Sequence, residues 1–152
     1  TVRAQPEPQS EGDSLMRPED VPVLGLLTQS MNFHNQRQRV IAENVANANT
    51  PGYVAQDLDE SEFQRNLRDQ MQARSAARST RGGPAVAALT SPIQQWQTKD
   101  APDSETTVNG NTVVLEEQMI RANENRMEYE SALSLYQKSL GMIRTAIRQA
   151  GR

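Results

Sequence analysis

The chain has 152 residues, the length of one ordinary domain, with 36% hydrophobic and 4% aromatic residues and a mean hydropathy of −0.74. One Trp, two Phe and three Tyr are few large side chains from which to build the self-contained core of a globular enzyme of this length. A net charge of −3 supplies no global field for nucleic acid, the absence of Cys excludes disulfides and thiolate chemistry, and no apolar run is long enough to span a bilayer.

Residues 1–20 combine Pro, Glu, Asp, Ser and Gln without an apolar stretch. They predict a disordered acidic tail and no cleavable secretory signal. A first helix is predicted within residues 21–49, where Leu24, Leu27, Met31, His34, Gln38, Ile41, Val45 and Ala48 follow in steps of 3 and 4. That spacing is a heptad seam with two polar members, on a helix roughly 36 Å long. Pro51 disfavours helix at Thr50, and Pro51-Gly52 is the central pair of a type II turn.

Residues 50–112 form the predicted middle segment. Phe63, Leu67 and Met71 mark a short amphipathic helix from Glu60 to Ala77, which Gly82-Gly83-Pro84 interrupts. From Pro84 onward, Pro92, Pro102 and Asn109-Gly110-Asn111 predict extended or looped chain, with room for one hairpin at Asn109-Gly110. Residues 113–152 hold the second long helix, from Val113 to Ala150. Leu115, Met119, Ala122, Arg126, Tyr129, Leu133, Tyr136, Leu140, Ile143, Ile147 and Ala150 keep the 4,3 alternation, over a length of roughly 55 Å. The fold class predicted is mainly α. Long N- and C-terminal helices pair as a coiled-coil hairpin around a small irregular middle of short helix and loops.

A hairpin of the two helices leaves apolar residues off both seams. Leu26, Phe33 and Val40 recur every seventh position on the first helix, and Ile120, Met127, Leu135 and Met142 lie outside the seam of the second. These positions predict contacts with other subunits or other proteins.

Catalytic chemistry is not suggested. His34 is the single histidine and sits on a seam, where it is expected to face a partner rather than a metal. Asp57, Asp59, Glu60 and Glu62 lack the Gly and Glu that complete a calcium loop, so Asp57 and Asp59 are expected to cap the helix that follows. Glu116 and Glu117 diverge on adjacent helix positions and read as a solvated face. The arginines from Arg65 to Arg81 lack the interleaved aromatics of a nucleic-acid surface. No nucleophile–base pair or phosphate loop is present, so neither an enzyme nor a cofactor is expected.

Residues 40–53, VIAENVANANTPGY, resemble the N-terminal signature of bacterial flagellar axial proteins, the rod, hook and hook-junction subunits. Asn44, Asn47, Asn49, Thr50, Pro51, Gly52 and Tyr53 carry the match, and Val54 stands where members commonly have Lys or Arg. The middle segment is too short for the inserted β domains of hook and distal-rod members. The blocks Asn109–Glu116 and Leu140–Ile147 resemble a proximal-rod member. Alternatives are a second small rod protein of the FlgC type and a non-polymerising coiled-coil adaptor. The resemblance implies a structural subunit that assembles helically through its terminal helices, transmits torque and lines an export channel. It implies export by the flagellar type III system, without a cleaved signal, into the periplasmic part of the basal body. The implied partners are copies of itself, FliE, FlgC and the export gate, with no nucleic acid and no membrane span. Leu24, Leu27, Met31, Phe33, Ile41, Val45, Leu115, Met119, Ile120, Met127, Tyr129, Leu133, Leu135, Tyr136, Leu140, Met142, Ile143 and Ile147 are the subunit-interface residues expected.

Overall fold

The computed structural model describes residues 22–79 and 95–150, and the expected acidic tail, the Gly82-Gly83-Pro84 break and Pro92 lie outside them. In chain order the elements are α1 (Pro22–Ala46), β1 (Gln56–Leu58), α2 (Glu60–Ser79), β2 (Thr98–Asp100) and α3 (Leu115–Ala150). The mainly helical class and the pairing of the two terminal helices are as the sequence predicts.

Helix α1 contacts both of the others. Helix α3 runs antiparallel to it, so that Asn44 bonds Gln118 while His34 bonds Asn125 further along. Helix α2 also runs antiparallel to α1: Phe63 stacks on Phe33, and Gln70 Nε2 donates to Gln29 Oε1. At 36 residues against 25, α3 outruns α1, an excess of about 16 Å of helix.

Strands β1 and β2 pair antiparallel, with Gln56 opposite Asp100, Asp57 opposite Lys99 and Leu58 opposite Thr98. Hydrogen bonds from Ala101 N to Ala55 O and from Asp59 N to Gln97 O extend the ladder at both ends. The turn expected at Asn109-Gly110 forms, closed by Gly110 N–H to Thr107 O, but no described strand flanks it. The pairing of β1 with β2 instead brings Trp96 onto α1.

That docking builds the one apolar core cluster among the described residues: Phe33, Val40, Leu58, Phe63 and Trp96. Phe33 and Phe63 stack with centroids 4.3 Å apart, and Trp96 meets both rings edge-on at 5.7 and 5.3 Å. Burying each such ring stabilises by about 1.5–3 kcal/mol, with a further increment of about 0.5–1.5 kcal/mol from ring geometry. Phe33 and Val40 are therefore core residues of the single chain, as are Leu24 and Ile41.

The α1–α3 seam differs from the heptad reading. On α3 the buried positions are Gln118, Asn125 and Ala132, each one residue before the expected Met119, Arg126 and Leu133, while the expected Ala122, Tyr129, Leu133, Tyr136, Leu140 and Ile143 are half-buried. Met119 and Leu115 are exposed as a result. On α1, Asn44 is buried where Val45 was expected, and Val45 is exposed. The one-residue shift has a physical cause: the buried amides find partners across the seam, which makes their burial affordable.

Candidate functional site

The signature residues form a clasp at the end of α1. Asn44, fully buried, uses its side-chain amide as a strand would use its backbone. Its Nδ2 donates to Gln56 O at 2.7 Å, and its Oδ1 accepts from Gln56 N at 2.9 Å. The second Nδ2 hydrogen reaches Gln118 Oε1 at 3.0 Å, and the Tyr53 hydroxyl donates to Oδ1 at 3.1 Å. Every donor and acceptor site of this amide is used.

Beyond Ala46 the chain turns through Asn47 and Thr50. Thr50 N donates to Asn47 O, and Tyr53 N to Thr50 O, closing the turn that Pro51-Gly52 was expected to make. Gly52 has φ of 71°, a region that L side chains rarely adopt. A second fully buried amide then secures the end of α1. Asn111 Nδ2 donates to Asn47 O at 2.9 Å and Thr50 O at 2.7 Å, while its Oδ1 accepts from Val113 N at 2.8 Å. Helix-terminal carbonyls need such partners. Gly110, with φ of 80°, is close enough to Gly52 that a Cβ there would lie 3.5 Å from the Gly52 Cα.

The loop before α3 completes the clasp. Thr112 N donates to Tyr53 O, and Ala55 N to Thr112 Oγ1. The Asp103 carboxylate is shielded from solvent and accepts from Val114 N at 2.7 Å, Gln118 Nε2 at 2.9 Å and Arg121 Nη2 at 2.8 Å. It thus sits at the N-terminus of α3, where the helix dipole favours a negative charge. Glu117, expected to be solvated, accepts from Ser104 Oγ and Ser104 N. Further along the seam, Asn125 Nδ2 donates to His34 O and Gln38 Oε1, which leaves its Oδ1 to accept from His34 Nδ1 at 2.9 Å. His34 is therefore buried within the chain rather than turned outward.

Charged pairs brace the ribbon. Arg37 grips Asp57 through Nε at 3.0 Å and Nη2 at 2.8 Å. Burial opposes the Arg37 charge, but the hydrogen bonds and charge of Asp57 outweigh it and raise the guanidinium above its ordinary pKa. Asp57 is thus committed to α1 and does not cap α2. Asp59 alone does so, accepting from Ser61 N at 3.0 Å and Glu62 N at 3.3 Å. The Ser61 hydroxyl first, and then Lys99, draw its pKa down to about 2.

The expected interface residues divide into groups. Leu24, Phe33 and Ile41 are buried, while Leu27, Met31, Tyr129, Leu133, Tyr136, Leu140 and Ile143 are half-buried. Val45, Leu115, Met119, Ile120, Met127, Leu135, Met142 and Ile147 are exposed. Within the signature Asn44 is the buried anchor, and Asn49, Pro51 and Gly52 are exposed. Asp103, Asn111, Gln118, Asn125 and Trp96 were not anticipated. The Asn-rich turn at residues 109–111 was the one local signal that pointed at any of them. A groove between α1 and α3 is lined by His34, Gln38, Asn125, Arg126 and Tyr129, and within it Asn125 hydrogen-bonds both His34 and Gln38. Among the described residues no cluster of metal-binding side chains occurs, and no helix is long and apolar enough to cross a membrane.

Two long terminal helices, locked at one end by buried amides and bearing an apolar outer face, define a structural helical-hairpin subunit. The family model described as "Flagella basal body rod protein" matches residues 30–53, which run from within α1 through the clasp turn. The chain is similar to the flagellar basal body rod protein FlgB of Escherichia coli (strain K12), 36% identical over 111 residues, covering 70% of this chain and 78% of the relative. It is also similar to FlgB of Salmonella typhimurium (strain LT2), 29% identical over 124 residues, covering 76% and 86%. FlgB of Cereibacter sphaeroides is 27% identical over 130 residues, covering 82% and 93%. The chain belongs to the FlgB family of flagellar basal body rod proteins. It is a component of the flagellar basal body, associated there with other rod components.

Proposed function

We propose that this chain is a structural subunit of the proximal rod. It assembles helically through α1 and α3, transmits torque and lines the export channel. Its neighbours are copies of itself, FliE and FlgC. It reaches the periplasm through the flagellar type III export gate without a cleaved signal. The observation that supports this reading is the outer face of α3, where Ile120, Met127, Leu135 and Met142 are all more than half exposed. Such a stripe on a folded chain fits a surface that other chains cover. Serine at all four positions is expected to abolish motility and rod formation while the chain is still produced at the wild-type level. Wild-type motility in that variant would overturn the reading. Imaging basal bodies that carry a tag within residues 84–107 is expected to place this subunit at the base of the rod.

A further inference from the structure

Around α3 the side chains divide into three arcs. The buried Gln118, Asn125 and Ala132 and the half-buried Tyr129 and Leu133 share the arc turned toward α1, about 100° wide at 100° per residue. Ile120, Met127, Leu135 and Met142 fall in a second arc of about 80°, interspersed with Glu124, Ser131 and Lys138. The third arc, also about 80° wide, runs from Asn123 to Arg148 through Arg126, Glu130, Ser134 and Gln137 over a length of about 38 Å. It holds no hydrophobic residue, and every residue in it is exposed. Arg126 and Glu130 neutralise one another across it at 2.8 Å.

The middle of the chain adds its bulk to α1 rather than to α3. Helix α2 and the ribbon dock through Phe33 and Val40, and no residue of α3 enters that cluster. Subunits set around a common axis have least room near it, so in a tube the thin side of this subunit, α3, lies innermost. One arc of α3 is then taken by α1, the apolar arc is covered by neighbouring subunits, and the polar arc is left to face the lumen. We propose that this polar arc, from Asn123 to Arg148, is the channel wall, and that what it meets is an unfolded polypeptide in transit; the proposal rests on the rod reading above. An unfolded chain exposes its apolar side chains, and burying one of them against an apolar wall would lengthen its stay roughly tenfold or more. A wall of Asn, Ser, Gln and a paired Arg and Glu gives no such hold, because its hydrogen bonds to the passing chain only replace those made to water.

The chain contains no Cys, so Q137C in the polar arc and L135C in the apolar one can each be introduced into the full chain and reacted with a small maleimide in isolated basal bodies. Q137C is expected to react roughly tenfold faster than L135C. Slow reaction of Q137C would overturn the proposal, because subunits would then cover the arc, and would leave the rod reading standing. Fast reaction at both positions would remove the covered stripe, and the rod reading would fall together with this one. Gln137→Trp separates a channel wall from an outer surface. Rods and hooks are expected in wild-type number by electron microscopy, while sheared filaments regrow roughly threefold more slowly. Gln137→Ser, polar like its neighbours, is expected to leave both readouts at the wild-type level. Missing rods in Gln137→Trp would overturn the proposal, since a wall residue makes no subunit contact. Wild-type regrowth in that variant would overturn it equally, since the traffic would then not meet Gln137.

Discussion

Asn44 shows how a single side chain can carry a motif. It supplies both partners of the Gln56 backbone, and its truncation leaves that peptide, the Tyr53 hydroxyl and Gln118 short of a hydrogen bond. Asn44→Ala is expected to destabilise the chain by about 2–4 kcal/mol in urea unfolding, well beyond a surface change. Asp59 works at a different end of the chain's chemistry. Its folded pKa of about 2 lies below the ordinary 3.8. The capping contribution is therefore fully present above the ordinary value and is lost as the pH falls through the folded one. The thermal midpoint is expected to drop between about pH 4 and pH 2, and Asp59→Asn to remove part of that dependence. Arg37 and Asp57 act as a pair, a bidentate grip that ties α1 to β1.

At the scale of elements, the weak members are held by the strong one. Strands of three residues and a helix with one inward aromatic have little stability alone. Their order derives from Phe33, which offers a ring to Phe63 from α2 and to Trp96 from the approach to β2. Phe33→Ala is expected to cost about 3–5 kcal/mol. It should also shift the emission of Trp96, the single tryptophan, to the red as its ring enters water. A variant that kept a blue-shifted Trp96 would show that the ribbon docks without Phe33. α3 depends on the clasp in the same way, since Asp103 and Asn111 bond the backbone at its start.

For the whole molecule, burial follows α1 from Leu24 to Asn44. The clasp, the aromatic cluster and the amide seam lie along α1, whereas residues 144–149 of α3 are all exposed. Hydrogen exchange is expected to grade along α3, with amides near Gln118 to Ala132 protected and those beyond Ile143 exchanging early. Uniform protection along α3 would mean that the free chain already self-associates. The shape explains the scarcity of large side chains: the chain does not need one thick core. A few aromatics seat the ribbon, amides and half-buried apolar side chains seat the hairpin, and Ile120, Met127, Leu135 and Met142 face outward.

Much of this was legible in the sequence because it depends on near neighbours. The ends of α1 and α3, the turn at Pro51-Gly52 and the cap at Asp59 follow from local sterics and hydrogen bonding. The resemblance of residues 40–53 to flagellar axial proteins led to the family. The face of α3 that packs inward was not legible. Hydrophobic periodicity counts Gln118 and Asn125 as outward residues, because their burial is acceptable only when partners about 74 to 91 positions away are in place. The role of Phe33 was hidden for the same reason, since Phe63 and Trp96 reach it only after the chain folds back. The order of elements and their turns could be read from the chain alone. Which amides would be satisfied, and hence which apolar residues are left exposed, was decided by the tertiary structure, because hydrogen-bond satisfaction is a property of neighbours in space.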